Sequence, residues 1–249
     1  MYLCIMQKEW FAEWFDTPYY HILYKNRDDA EAEKFISNLL KYLSIPKGSK
    51  VLDLACGKGR HSQTLFKHGY EVTAVDLSQN SIQTAKETVG NNVNITFEVR
   101  DMREAFTENT FDAVFNLFTS FGYFDSLEDN QKVIDSTKKM LVKNGLLIID
   151  FMNAKRVVNE LVPQEVKTVD GIEFSIRRNY DGAHITKDIK FYTEDREFKY
   201  SERVQALQLN DFSTLLENSG FEILHTFGDF DLNPYHAETS DRLIIVAKK

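Results

Sequence analysis

The sequence contains little cysteine and proline and has no long apolar run. Its 249 residues include two cysteines, Cys4 and Cys56, and four prolines. One cysteine lies near the N-terminus and the other in a glycine-containing stretch, so we expect no disulfide and a reducing, cytoplasmic location. No apolar run reaches the ~18–20 residues of a membrane-spanning helix, so we expect no membrane association. Residues 1–15 lack the basic-then-apolar pattern of a secretion signal.

Positive charge is also scarce. Lysine and arginine total 30 against 38 aspartates and glutamates, which gives a formal net charge of −8. A general nucleic-acid binder needs a basic face against the phosphates, so we expect no nucleic-acid partner. The sequence has no Cys-x-x-Cys motif and no cluster of histidines and acids, so we expect no metal site.

Residues 51–62, Val-Leu-Asp-Leu-Ala-Cys-Gly-Lys-Gly-Arg-His-Ser, form the motif around which the chain is organised. An apolar run of strand length is followed by two glycines and a helical pattern, which is typical of a nucleotide-type binding corner. Gly57 and Gly59 allow positive φ or a close approach to a ligand. Asp53 would repel the pyrophosphate of a dinucleotide. S-adenosylmethionine has an ammonium, a sulfonium and a ribose instead, all of which tolerate a nearby carboxylate.

Two further acids follow predicted strands. Residues 71–76 form a second predicted strand ending at Asp76, which suits a pair of ribose hydroxyls. Residues 95–102 contain a third predicted strand with Asp101 at its end. This acid would accept a hydrogen bond from an adenine amino group.

Together these motifs resemble the class I S-adenosylmethionine-dependent methyltransferases. The matching residues are Asp53-x-x-x-Gly57-x-Gly59, Val75-Asp76-Leu77-Ser78 and Arg100-Asp101-Met102. The resemblance covers residues 50–150 and implies S-adenosylmethionine as cofactor, a small-molecule methyl acceptor, and a monomer or homodimer. The cofactor-binding residues predicted from it are Tyr20, Arg27, Asp53, Ala55, Cys56, Gly57, Gly59, Asp76, Leu77, Ser78, Asp101, Met102, Asn116 and Phe118.

Other interpretations of the motifs stay open at this stage. A nicotinamide-dependent Rossmann oxidoreductase would carry Gly-x-Gly-x-x-Gly, but Ser62 stands at the third glycine position. A non-catalytic protein of methyltransferase fold would be free to lose the motif residues, which are intact here. Taken singly, the glycines could be plain turn residues, Ser78 a helix N-cap and Asp101 a solvated acid. It is improbable that these three explanations all hold at once.

The predicted fold is α/β, a Rossmann-like, doubly wound, mostly parallel seven-stranded sheet with a terminal antiparallel hairpin and an antiparallel β insert after strand five. The alternation of strands and helices over residues 50–150 predicts the parallel sheet. We predict three regions: an aromatic N-terminal helical arm, a cofactor-binding domain and an insert that is equally well a cap over the acceptor or a dimer contact. Their bounds are 1–49 for the arm, 50–163 and 209–249 for the domain, and 164–208 for the insert.

The arm is rich in aromatic residues, which either pack it onto the domain or make it a lid over the cofactor. Small-molecule methyltransferases of this type carry a Tyr-Asp pair in such an arm. Tyr20-His21 stands at the equivalent place, without the acid. Two partners stay open for Arg27, the cofactor carboxylate or the acids Asp28 and Glu31 on a surface helix.

Motifs that the sequence lacks narrow the choice of methyl acceptor. Asn116-Leu117-Phe118-Thr119 follows strand four in place of Asn-Pro-Pro-Tyr, which disfavours methylation of adenine amino groups in DNA, and the absence of a Pro-Cys pair excludes a cytosine C5 enzyme. We therefore expect a nitrogen or oxygen acceptor on a small molecule, with residues 120–124 as an aromatic wall. A peptide end stays open as the alternative acceptor. The sequence does not select a general base among the candidates, which are His21, Tyr123, Tyr235 and His236.

Overall fold

The computed structural model of the protein describes residues 13–25, 29–90 and 94–249. Within them it has two β-sheets. The strands of the larger sheet are β1 (Lys50–Leu54), β2 (Glu71–Asp76), β3 (Ile95–Val99), β4 (Phe111–Asn116), β5 (Leu141–Met152), β10 (Glu222–Phe227) and β11 (Arg242–Lys248). The strands of the smaller sheet, the insert sheet, are β6 (Gln164–Val169), β7 (Ile172–Tyr180), β8 (His184–Thr193) and β9 (Arg196–Gln205).

The larger sheet has the order β10-β11-β5-β4-β1-β2-β3. Strands β3, β2, β1, β4 and β5 pair in parallel, whereas β11 pairs antiparallel with both β5 and β10. The predicted mostly parallel seven-stranded sheet with a terminal antiparallel hairpin is therefore confirmed. Because parallel strands share one carboxyl edge, the ends of β1, β2, β3 and β4 meet there, which is where open α/β sheets bind ligands.

Helices cover both faces of the larger sheet. The helices of the described residues are α1 (Pro18–Leu23), α2 (Asp29–Leu43), α3 (Arg60–Lys67), α4 (Gln79–Val89), α5 (Leu127–Met140), α6 (Ala154–Asn159) and α7 (Leu209–Asn218). Side chains of α2, α3 and α4, such as Phe35, Leu65 and Ile82, form the core on one face. Val133 of α5 and Phe212 of α7 belong to the core on the other. None of the described helices is long and apolar enough to cross a membrane.

The insert sheet is antiparallel throughout, in the order β6-β7-β8-β9. The antiparallel insert after strand five is confirmed, and it has four strands. A tight hairpin joins β8 to β9. Glu194 and Asp195 both have positive φ (50° and 57°), the geometry of a two-residue type I′ turn, without the glycine that usually signals it.

The arm segment, defined here as residues 13–25, packs on the insert sheet. Trp14 and Leu23 are buried in one apolar cluster with Phe174, Ile176 and Phe191 of the insert. The indole of Trp14 stacks on the Tyr200 ring with 4.4 Å between centroids. Packing on the insert sheet is therefore the main structural role of the aromatic residues in the arm segment.

Glu202 of β9 is the polar centre of this contact, with a side chain only 14% exposed. It accepts hydrogen bonds from Trp14 Nε1 (2.7 Å) and Tyr24 Oη (2.8 Å). The Lys187 ammonium lies 3.7 Å from the same carboxylate. One buried carboxylate thus joins both ends of the arm segment to the insert sheet.

Replacing Trp14 should separate the packing from the hydrogen bond. Trp14→Ala should lower the free energy of unfolding by about 3–5 kcal/mol, the usual cost of truncating a buried aromatic residue. Trp14→Phe keeps an aromatic ring, so it should lose about 1.5–3 kcal/mol, the value of a hydrogen bond to a charged group. Urea unfolding measures both variants.

The matched control is Tyr192→Ala, which removes an aromatic residue of the insert that is 66% exposed. Its effect should stay within about 0.5 kcal/mol, as for most surface substitutions. Equal, small effects of all three substitutions would contradict the described docking of the arm segment.

Candidate active site at the carboxyl edge of the larger sheet

A cavity of about 370 Å³ lies at the carboxyl edge of the larger sheet, between this edge and the arm segment. This volume is within the range of small-molecule sites, about 300–1,000 Å³. Its walls come from the turn after β1, the residues that follow β2, β3 and β4, and the arm segment. Among the described residues, none of the insert lines the cavity, so the insert acts on it through the arm segment.

The turn after β1 exposes its backbone to the cavity. Ala55, Cys56 and Gly57 line it, and Ala55 and Gly57 have left-handed φ values of 63° and 56°. A Cβ added to Gly57 would meet no atom within 4 Å, so open space reaches the main chain there. A ligand can therefore approach the main chain directly at this turn.

Two motif residues lie behind this wall and do not line the cavity. A Cβ on Gly59 would be 2.5 Å from the Phe97 ring, so this glycine allows α3 to pack against β3. The Asp53 side chain is almost fully buried and accepts a hydrogen bond from Ser62 Oγ of α3 at 2.5 Å. Both residues hold the start of α3 against the sheet.

Asp76 ends β2 with its side chain in the cavity wall. Its Oδ2 accepts a hydrogen bond from the Gly57 N–H and its Oδ1 from the Ser78 N–H, both at 2.8 Å. These bonds fix the carboxylate and leave lone pairs for the hydroxyls of a ligand. Burial raises the pKa of Asp76, and the two backbone bonds oppose that shift. Leu77 also lines the cavity, whereas Ser78 caps α4 and does not.

Asp101 and Met102, which follow β3, line the next part of the wall. The Asp101 carboxylate is paired with the Arg103 guanidinium, through Nε at 3.0 Å and Nη2 at 2.6 Å. The same guanidinium lies 4.6 Å from the centroid of the Phe124 ring. Asp101 therefore faces the cavity with its charge compensated.

Phe118 reaches the cavity from a strained turn after β4. Phe118 and Thr119 have φ values of 65° and 60°, unusual for residues other than glycine. Asp150 accepts a hydrogen bond from the Phe118 N–H at 2.8 Å, and Arg242 Nε donates to the same carboxylate at 2.8 Å. Asn116 is buried, donates to the Leu54 carbonyl and does not line the cavity.

Aromatic residues form the opposite wall. Phe15, Tyr20 and Tyr24 of the arm segment line the cavity, together with Tyr123 and Phe124. The rings of Phe15 and Tyr123 are 5.3 Å apart and join the arm segment to the loop after β4. Within the predicted wall 120–124, Ser120 also lines the cavity, whereas Phe121 is buried in the core. The predicted Arg27 lies outside the described residues.

Two of the four candidate bases are at the cavity, His21 and Tyr123; Tyr235 and His236 are not among its lining residues. The Tyr123 hydroxyl donates to the Thr119 carbonyl. Burial, followed by the nearby Lys58 charge, lowers the pKa of His21 to about 4, so its imidazole is neutral near pH 7 and can accept a proton.

The structure also brings in residues that were not among the predicted site residues. His61 of α3 lines the cavity, and burial lowers its pKa to about 3. Asp16 of the arm segment contacts the start of α4 beside Asp76. No local pattern marks Asp16, because its partners lie more than 60 positions away. The described residues contain no group of three or more side chains suited to holding a metal.

Asp53→Asn should change how stability depends on pH. Burial raises the pKa of Asp53 from 3.8 to about 7, although the Ser62 hydrogen bond opposes the shift. The native state then keeps a proton that the unfolded state has released, so stability present below about pH 4 is lost as pH rises towards 7. An asparagine at this position still accepts the hydrogen bond from Ser62, but it does not titrate, so this stability is not lost as pH rises. Between about pH 5 and pH 8, the free energy of unfolding of Asp53→Asn should rise by about 2 kcal/mol relative to that of the parent.

Urea unfolding at several pH values checks this expectation. The free energies of unfolding of parent and variant should diverge steadily as pH rises. Parallel profiles would show that Asp53 titrates normally and is better hydrated than its burial indicates.

Comparison with known proteins supports the chemistry deduced from this site. Residues 45–220 match the family model described as "Methyltransferase domain". The chain is 28% identical to the putative methyltransferase YqeM of Bacillus subtilis (strain 168), over 83% of this chain and 86% of that protein. It is 29% identical to the glycine/sarcosine N-methyltransferase of Aphanothece halophytica, over 90% of this chain and 83% of that protein.

A solved structure has the same fold. An S-adenosylmethionine-dependent methyltransferase from Clostridium acetobutylicum ATCC 824 superposes with a TM-score of 0.79, covering 92% of this chain and 95% of that one, at 18% identity. The predicted methyltransferase activity and the predicted cofactor, S-adenosylmethionine, are confirmed. The chain belongs to the methyltransferase domain family, as a class I S-adenosylmethionine-dependent enzyme.

Proposed function

We propose that this enzyme methylates a nitrogen or oxygen atom of a small molecule held in the cavity beneath the arm segment. One observation carries the proposal: a single cavity of about 370 Å³ is lined both by residues suited to the cofactor and by aromatic residues. The net charge of −8 is unfavourable for a nucleic-acid substrate. The relative named as a glycine/sarcosine N-methyltransferase supports a small acceptor.

The cofactor would lie along the ends of β1, β2 and β3. Asp76 would accept hydrogen bonds from the ribose hydroxyls, because its carboxylate lines the cavity and is fixed by backbone donors. Leu77 and Met102 would enclose the adenine, beside Asp101. The open backbone at Gly57 would accommodate the methionine portion.

S-adenosylmethionine supplies a methyl group on a sulfonium, which the acceptor displaces in line. The aromatic residues of the arm segment and of the loop after β4 would then hold the acceptor and exclude water, which is the main contribution that such a displacement asks of a protein. The contact of Phe15 with Tyr123 closes the wall on the acceptor side.

His21 would receive a proton where the acceptor must lose one. It lines the cavity and is neutral at physiological pH, but its lowered pKa also makes it a weaker base than an ordinary histidine. Tyr123 is the weaker candidate, because its hydroxyl already donates to a carbonyl. General bases of this kind contribute about 10²–10⁴-fold to a rate.

Asp76→Ala tests the position of the ribose. Affinity for S-adenosylhomocysteine, measured by calorimetry, should fall by about 1–3 kcal/mol because hydrogen bonds to a charged group are lost. The control is Asp112→Ala, which removes an acid that accepts a backbone hydrogen bond from Lys50 at the opposite edge of the same sheet. An unchanged affinity in folded Asp76→Ala protein would remove Asp76 from the site.

An acceptor screen tests the activity itself. The protein and S-adenosylmethionine are incubated with panels of amines, amino acids, amino sugars and phenols, and formation of S-adenosylhomocysteine is followed. With an acceptor found, His21→Phe should lower kcat by about 10²–10⁴-fold while S-adenosylhomocysteine affinity stays the same. Tyr235→Phe, outside the cavity lining, should be neutral. Methylation of a macromolecule and of none of the small molecules would refute the proposal.

A further inference from the structure

Asp16 joins the arm segment to the start of α4. Its carboxylate accepts hydrogen bonds from the Ser78 hydroxyl, from the Asn80 N–H at 3.1 Å and from Asn80 Nδ2 at 2.6 Å. Three donors on one half-buried side chain make a specific contact across more than 60 positions of sequence. The neighbouring Phe15 lines the cavity, and Thr17 caps α1.

The turn that Asp16 contacts is the one that carries Asp76. The Ser78 N–H donates to Asp76, while the Ser78 hydroxyl donates to Asp16. Ser78 Oγ also accepts from the Ser81 N–H and so caps α4. A single residue therefore connects the proposed ribose acid, the start of the helix and the arm segment.

The arm segment has a second, independent anchor on the insert sheet. Trp14 and Tyr24, which flank Asp16 in the sequence, donate hydrogen bonds to Glu202. Phe15, Tyr20 and His21 of the same segment line the cavity. The arm segment thus contacts both the insert sheet and the β2–α4 turn while it lines the cavity.

We propose that Asp16 is a positioning residue that fastens the arm segment to the β2–α4 turn and thereby sets how long the cofactor stays bound. This inference rests on the proposed position of the ribose at Asp76. The contacts of Asp16 with Ser78 and Asn80 must break before the arm segment can lift from the cavity. Removing these contacts should raise the rate at which the cofactor or its product dissociates, with a smaller effect on the free energy of unfolding.

The test uses the full chain and S-adenosylhomocysteine as the probe. Its dissociation rate constant is measured by stopped-flow displacement for the parent, Asp16→Ala, Asn80→Ala and the double variant. Asp16→Ala should release the probe about tenfold faster, because all its hydrogen bonds to the turn are lost, and Asn80→Ala, which removes one of the three donors, should have a smaller effect in the same direction. The double variant should be no faster than Asp16→Ala, since the Asn80 side chain acts through Asp16.

The matched control is Asp125→Ala. Asp125 is exposed and also ties the methyltransferase domain to the insert, through Arg203, but it does not line the cavity. This variant should release S-adenosylhomocysteine at the parental rate. Asp16→Asn, which keeps one acceptor oxygen, should give an intermediate rate.

A purely structural role for Asp16 would lower the melting temperature and leave the dissociation rate constant unchanged, and that result would overturn the proposal. Asn80→Ala, a change at an exposed site, decides the matter if Asp16→Ala does not fold. The position of the ribose is tested separately by Asp76→Ala. If Asp76→Ala lowers the affinity as expected, but the Asp16 and Asn80 variants release the probe at the parental rate, only the proposed role of Asp16 is refuted. An unchanged affinity in Asp76→Ala refutes the ribose position.

Discussion

The cavity depends on one largely buried carboxylate, that of Glu202. The arm segment has a single short helix of its own, and isolated helices of this length are unstable in water. Its order therefore has to come from tertiary contacts. Glu202 provides them by accepting hydrogen bonds from Trp14 and Tyr24 while Lys187 compensates its charge. Without this carboxylate, two donors and an ammonium would be left inside an otherwise aromatic interface.

This arrangement assigns different tasks to different parts of the chain. The larger sheet and its helices form the cofactor wall from residues close in sequence, such as Gly57 and Asp76. The arm segment forms the facing wall, and the insert supports the arm segment, although Trp14 and Glu202 are 188 positions apart. Because the described insert residues do not line the cavity, changes in the insert would act on the site indirectly. Whether the insert also forms a dimer contact stays a prediction.

Sequence patterns predict the fold well because its signals are local. Apolar runs, glycines and terminal acids recur in the strand-helix order of the sheet, and they indicate Asp76 for the same reason. The same patterns cannot tell which way a side chain points. Asp53 lies within such a run and Asn116 ends one, yet both are buried behind the cavity wall. The aromatic residues of the arm segment indicate that it packs on something, but they cannot indicate its partner Glu202, which is 188 positions from Trp14.

The two walls of the cavity also differ in how they are held. On the sheet side, Phe118 and Thr119 keep left-handed conformations that cost about 1–3 kcal/mol each, and such strain persists only where the surroundings fix it. Asp150 and Arg242 provide this constraint from two strands of the sheet. The arm segment is held mainly by side-chain contacts at its ends. Opening of the site should therefore occur by movement of the arm segment, while the cofactor wall stays preorganised.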